Sequence, residues 1–189
     1  MKTPIALLIV TAALLPAIDD AHADRGDIAI TGSVGLVSPD ESATEDTAER
    51  VAPGAGVEVS GETGPAFAIA GAYGITPTLG AELQLVSGSS EIGLSGPGGT
   101  ATLDIDTRSL LLTAVYSTPG TIYYGGKAGL AHTTIETSSS TGSDESSGTK
   151  LALGAHLGYR FNEQLSVQAD YVRPSADAQY FLVSGAYRF

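Results

Sequence analysis

The chain has no cysteine. An exported protein of this size without disulfides is held by burial and backbone pairing alone. It also lacks any apolar run long enough for a spanning helix, which needs ~20 residues. The longest, Ile5 to Leu15, is broken only by Thr11 and is too short. A helical membrane protein is thereby excluded. Positive charge is scarce: 9 Lys and Arg stand against 21 Asp and Glu, for a formal charge of −12. That balance repels nucleic acid, whose binders are basic. The glycine-rich stretch Gly93 to Gly99 has no Lys after it, so it is no phosphate loop.

What is there begins with an export signal. Lys2 gives a positive start, Ile5–Leu15 an apolar centre, and Ala21-His22-Ala23 an A-x-A cleavage site. Residues 1–23 are expected to be removed. Residues 24–189 then form one domain of 166 residues with a charge of −11. Glycine is abundant at 24 residues, as strands crowding a narrow barrel interior require.

Period-two alternation recurs eight times after the signal. It predicts strands at Asp27–Val37, Pro65–Ile75, Leu79–Gly88, Thr102–Ser117, Thr121–Glu136, Gly148–Phe161, Leu165–Arg173 and Ala178–Phe189. The connections alternate in length. Thr76-Pro77-Thr78, Thr118-Pro119-Gly120 and Asn162-Glu163-Gln164 are tight. Ser38–Gly64, Ser89–Ala101 and Thr137–Ser147 read as long loops, and Pro174–Asp177 lies on their side. One rim of turns and one rim of loops is the rhythm of an up-and-down barrel. The expected fold is all-β: an eight-stranded antiparallel up-and-down transmembrane β-barrel.

Parity separates two faces. Phe67, Ile69 and Tyr73, the row Leu151, Leu153, Leu157 and Tyr159, and the closing row Phe181, Val183, Tyr187 and Phe189 are predicted to face lipid. Glu82, Gln84, Lys127, His156, Arg160, Gln168, Asp170 and Arg188 are predicted to face inward. A soluble barrel with an apolar cavity has the opposite sense. Leu110-Leu111-Leu112 fits neither face, which requires a bulge or an apolar interior position. The twelve Tyr and Phe residues gather at strand ends, as two interfacial girdles do.

Three motifs carry a resemblance. They are Gly185-Ala186-Tyr187-Arg188-Phe189, the run Gly158-Tyr159-Arg160-Phe161-Asn162-Glu163-Gln164-Leu165-Ser166-Val167, and Gly71-Ala72-Tyr73-Gly74-Ile75-Thr76-Pro77-Thr78-Leu79. With them the chain resembles the small outer-membrane β-barrel family: the OmpA transmembrane domain, OmpX and the opacity-type, porin-like barrels. The resemblance implies a Gram-negative outer membrane, periplasmic termini and extracellular long loops. It implies a closing strand whose Tyr187 and Phe189 are read by the barrel-assembly machinery. It implies outer-membrane lipid and lipopolysaccharide as surroundings. No peptidoglycan-tethering domain is expected after Phe189.

Candidate chemistry is sparse. A turn that pairs Phe161 with Leu165 makes His156 and Asp170 cross-strand neighbours in the lumen, predicting an imidazole–carboxylate contact. Lys127 and Glu82 fall at similar mid-height; Arg160, Arg188 and Asp27 gather near the turn-side mouth. Eight strands leave room for side chains and little else, so these groups are expected to plug the lumen. His132, Thr133, Thr134 and Glu136 form the only local cluster suited to catalysis, and it lacks the His-x-Ser spacing of lipid A deacylases. Asp40, Glu41, Glu45, Asp46, Glu49, Glu58 and Glu62 make the first loop acidic, without a calcium-loop pattern. The loop is expected to be solvated and mobile, and the sharper alternative is weak Ca²⁺ or Mg²⁺ binding that bridges its carboxylates to lipopolysaccharide. No cofactor is expected. The sequence points to a structural or surface-interacting, adhesin-like barrel that meets any extracellular ligand through its loops. A narrow channel for ions or small solutes is the alternative, and a lipid A-modifying enzyme comes third.

Overall fold

A computed structural model describes residues 26–39, 58–96, 99–139, 142–174 and 178–189. The expected signal and cleavage site, and Asp40 to Arg50 of the acidic loop, lie outside the described residues. The strands are β1 (Ile28–Pro39), β2 (Glu58–Glu62), β3 (Gly64–Gly74), β4 (Leu79–Gly96), β5 (Gly99–Ser117), β6 (Ile122–Ser139), β7 (Gly142–Arg160), β8 (Leu165–Arg173) and β9 (Ala178–Arg188). Every pairing is antiparallel: β1 pairs β3, each strand from β3 to β8 pairs the next, and β9 returns to pair β1. Eight strands therefore close into a barrel, and β2 pairs β4 alone.

Glu62↔Glu91 and Ala66↔Gly88 bracket three residues of one strand against two of the other. This is a bulge, and Pro65, which has no N–H for the ladder, sits in it. β2 is thus the outward continuation of β3 beyond that bulge.

The registers set the barrel's shape. A circuit from Ile28 steps through Tyr73, Ala81, Ala114, Ala128, Leu153 and Arg173 and returns to β1 at Ser38, ten residues further on. The step from Arg173 to Gln179 continues the β8–β9 register one place past Val172↔Tyr180. A stagger of this size tilts the strands, by ~35–45° in barrels generally. Rows of cross-strand partners therefore climb toward the loop rim in chain order.

The turns close as their residues require. Thr76 Oγ1 accepts from the Leu79 N–H at 3.0 Å and the Thr78 N–H at 3.3 Å. Asn162 Oδ1 accepts from the Leu165 N–H at 2.7 Å and the Gln164 N–H at 2.9 Å. Such side chains imitate a backbone turn. The middle turn uses Gly120 at φ 111°, a conformation an L side chain resists.

The opposite rim departs from expectation. The described residues of Ser89–Ala101 and Thr137–Ser147 are paired strand, not loop: pairing runs on to Gly96↔Gly99 and Ser139↔Gly142. These two hairpins stand beyond the belt. The first connection, expected to be loop through Gly64, already holds β2.

The outer surface is an apolar belt. Phe67 is 62% exposed, and Ile30, Ile69, Leu83, Leu112, Leu130, Leu151, Leu157 and Val183 are likewise exposed. A soluble protein does not display so continuous an apolar surface, whereas hydrocarbon requires one. Tyr73, Tyr116, Tyr124 and Tyr187 ring the turn side; Phe67, Tyr171 and Phe181 ring the other. Tyr123 and Tyr180 leave the girdles. They are 5% and 0% exposed and point inward.

Leu111 is the apolar interior position, 1% exposed between outward Leu110 and Leu112. The β4–β5 and β5–β6 registers run through it without a bulge.

Candidate functional site

The lumen has two layers. Toward the hairpin side it is apolar: Val37, Val86, Leu111, Val172, Tyr180 and Leu182 pack together with small alanines. The sequence expectation put nearly all the polar atoms inward and allowed an apolar interior position at Leu110–Leu112; the structure extends that to a whole apolar layer. Its polar members are hydroxyls, Ser90 and Thr107 among them; the Tyr180 hydroxyl lies 3.2 Å from Ser109 Oγ, itself 3.0 Å from Thr133 Oγ1.

Toward the turn side the lumen is charged. Lys127, from β6, reaches across to two carboxylates. Its ammonium donates to Glu82 on β4 at 2.9 and 3.2 Å and lies 2.7 Å from Asp170 Oδ1 on β8. All three side chains are buried. The bridge joins strands that are not sheet neighbours, across the interior.

Asp170 is satisfied further by Gln168 Nε2, at 3.1 and 2.9 Å, and by Ser184 Oγ at 3.0 Å. Ser184 Oγ also lies 2.8 Å from Ser33 Oγ, whose hydroxyl donates to it while Ser184 donates to Asp170, so the network crosses the β1–β9 seam. The Tyr123 hydroxyl donates to Gln168 Oε1 at 3.0 Å, and the Arg160 guanidinium lies 4.2 Å over the Tyr123 ring. Arg160 Nη1 donates to the Gly120 carbonyl. Arg188 Nε lies 3.7 Å from Asp27 Oδ2. Glu82, Lys127, Asp170 and Arg160 thus belong to one connected set, with Arg188 at the mouth beside it.

His156 stands apart. It is the register partner of Asp170, but its Nε2 contacts Ser117 Oγ at 2.9 Å and its Nδ1 has no partner. The expected imidazole–carboxylate contact gives way to the lysine. An ammonium with three donors satisfies two carboxylates at once, whereas a neutral imidazole has a single donor.

Sequence reasoning missed Tyr123, Ser33 and Ser184 as members. Parity held the signal for Tyr123, since it shares the odd register of Lys127 on β6. A cavity of about 130 Å³ opens on the turn side, lined by Asp27, Glu82, Lys127, His156, Arg160 and Arg188 among others. None of the apolar layer lines it, so it ends beneath that layer.

The cluster considered for catalysis does not converge. Thr133 is buried in the lumen, while His132 and Glu136 are exposed on the outer face. His132 Nδ1 lies 3.0 Å from Thr149 Oγ1. Further out, the hairpins place like charges opposite one another: Glu62↔Glu91↔Asp104, and Asp106↔Glu136↔Glu145. Opposed carboxylates repel in a sheet. Among the described residues no group of three or more His, Asp or Glu is placed to hold a metal ion.

The sequence pattern described as "Outer membrane protein beta-barrel domain" matches residues 5–189. Similar solved structures include OprG from Pseudomonas aeruginosa, 18% identical, with 90% of this chain and 99% of that chain covered and a TM-score of 0.62. The N-terminal barrel domain of Pseudomonas aeruginosa OprF is 16% identical over 88% of this chain and 100% of that one, with a TM-score of 0.57. Ail from Yersinia pestis, in complex with the heparin analogue sucrose octasulfate, is 19% identical over 87% and 99%, with a TM-score of 0.51. At such identities the likeness is one of fold. None of the curated proteins matches the chain significantly.

Proposed function

Because the chain belongs to the outer membrane protein β-barrel domain family, we propose that it is an integral outer-membrane barrel with a closed lumen, acting structurally or as a surface-interaction protein through its outer hairpins. The observation that carries this reading is the double closure of the interior. An apolar layer around Leu111, Tyr180 and Leu182 lies above the ion network of Glu82, Lys127 and Asp170. Solutes then have no path, and what the protein offers its surroundings is its rim and its wall. The termini lie in the periplasm and the hairpins outside the cell. The barrel-assembly machinery inserts the chain by its closing strand, with Tyr187 and Phe189 at the end. Lipid and lipopolysaccharide surround it, and no chemistry is performed on them.

The partner class follows from charge. Ail is seen with a polyanionic heparin analogue, whereas this rim sets Glu62, Glu91 and Asp104 in one row and Asp106, Glu136 and Glu145 in another. Such a face suits cationic partners and disfavours sulfated ones. The alternative, a narrow channel, draws on the turn-side cavity of about 130 Å³, but that cavity ends below the apolar layer.

Complementation of a deletion strain tests the reading. A barrel trimmed of residues 90–105 and 137–144, with short turns in their place, is expected to reach the outer membrane but not to restore surface binding. Full restoration by the trimmed barrel overturns it.

A further inference from the structure

On the lipid-facing wall, β3 to β6 form a shallow groove of about 570 Å³. Its floor is Phe67, Ile69, Leu85 and Leu110, all exposed and apolar. At its outer end stand Arg108 and His132, both exposed. Arg108 pairs with Ser87 and Thr134, and His132 with Leu110 and Thr149. The two are therefore diagonal neighbours on adjacent strands, at the ~7–8 Å separation that long side chains span. Rows climb in chain order, so both lie above Phe67, the outer girdle ring of this wall.

Arg108 makes no ion pair or hydrogen bond among the described residues. A guanidinium on the wall of a membrane barrel is costly unless an anion meets it. His132 commits Nδ1 to Thr149 and leaves Nε2 for a second contact. One row further out, Asp106, Glu136 and Glu145 face the same side.

We propose that this groove holds an acyl chain of a phosphorylated glycolipid of the lipid A type, with its phosphate on Arg108 and His132. A planar guanidinium donates two parallel hydrogen bonds to a phosphate, and the imidazole adds a third. The row of carboxylates above meets the sugar hydroxyls and the divalent counter-ions that accompany such phosphates. A glycerophospholipid offers the phosphate without that upper layer. The inference rests on the hairpins being extracellular, since that puts the groove in the outer leaflet.

Native mass spectrometry of the folded barrel in detergent tests the site, with diphosphoryl lipid A, dephosphorylated lipid A and phosphatidylglycerol as probes. The diphosphoryl form is expected to be retained at concentrations lower by about tenfold than either of the others, the scale of one charge-assisted contact. Arg108→Glu abolishes that preference, Arg108→Lys keeps part of it, and Glu163→Gln, exposed in the turn at the opposite end of the barrel, leaves it intact. Arg108→Gln serves where the charge reversal fails to assemble, with folding checked by heat-modifiable migration. Equal retention of all three lipids, or an unchanged preference in Arg108→Glu, overturns the proposal. The orientation is read separately. The chain has no cysteine, so Ser143→Cys reports it by labelling with an impermeant reagent on intact cells. A protected Ser143→Cys contradicts the orientation without touching the binding result.

Discussion

Lys127 directs its ammonium at two carboxylates that come from strands on either side of its own sheet neighbours. Replacing it with methionine leaves Glu82 and Asp170 as buried charges without a counter-ion. A loss of about 3–5 kcal/mol follows from breaking a buried pair on one side, read by urea unfolding in lipid vesicles. A loss below about 1 kcal/mol, the worth of an exposed pair, contradicts the account. Gly158 makes a second, smaller case. The space its side chain would take is filled by the Tyr123 ring. Gly158→Ala displaces that ring from under Arg160 and costs about 1–3 kcal/mol, the range for overpacking, by the same measurement. Parity alone placed Glu82, Lys127, Arg160 and Asp170 inside. It also made His156 and Asp170 register partners, since the Asn162 turn fixes the count. Which groups touch was not legible, because a strand pattern gives direction and height but not reach. The lysine crosses the barrel, and no local spacing records a contact between β6 and β8.

At the scale of elements, the hairpins are where sequence and structure part most. Ser/Thr/Gly-rich stretches read as loops because those residues satisfy turns. Inside an established register the same residues extend the ladder, and buried Ile92 with its partner Leu103 continues the alternation outward. The tight turns were legible because Thr76 and Asn162 carry their own acceptors. Since pairing within the belt stands without the hairpins, the barrel trimmed of residues 90–105 is expected to keep heat-modifiable migration. Loss of that shift assigns the hairpins a folding role instead. The closing strand is different. β9 pairs both β8 and β1, and Tyr187 and Phe189 stack edge to face at 4.9 Å. Deleting Phe189 is expected to lower the amount of folded barrel in the outer-membrane fraction; unchanged surface levels count against that role.

For the whole molecule, closure has two senses. The sheet has no free edge along the belt, because β1 and β9 pair over Ala29–Pro39. The second is the closure proposed for the interior: among the described residues the apolar layer sits on the ion network. The first sense could be read from eight alternating segments. The second could be read only in part: inward charges of both signs suggested a plug, while the outer apolar half was hidden in Leu110-Leu111-Leu112 and in Tyr180. Planar-bilayer recording of the purified barrel tests this closure most directly. No reproducible conductance steps are expected from the natural sequence. Well-defined, repeated steps contradict it and make the protein a channel.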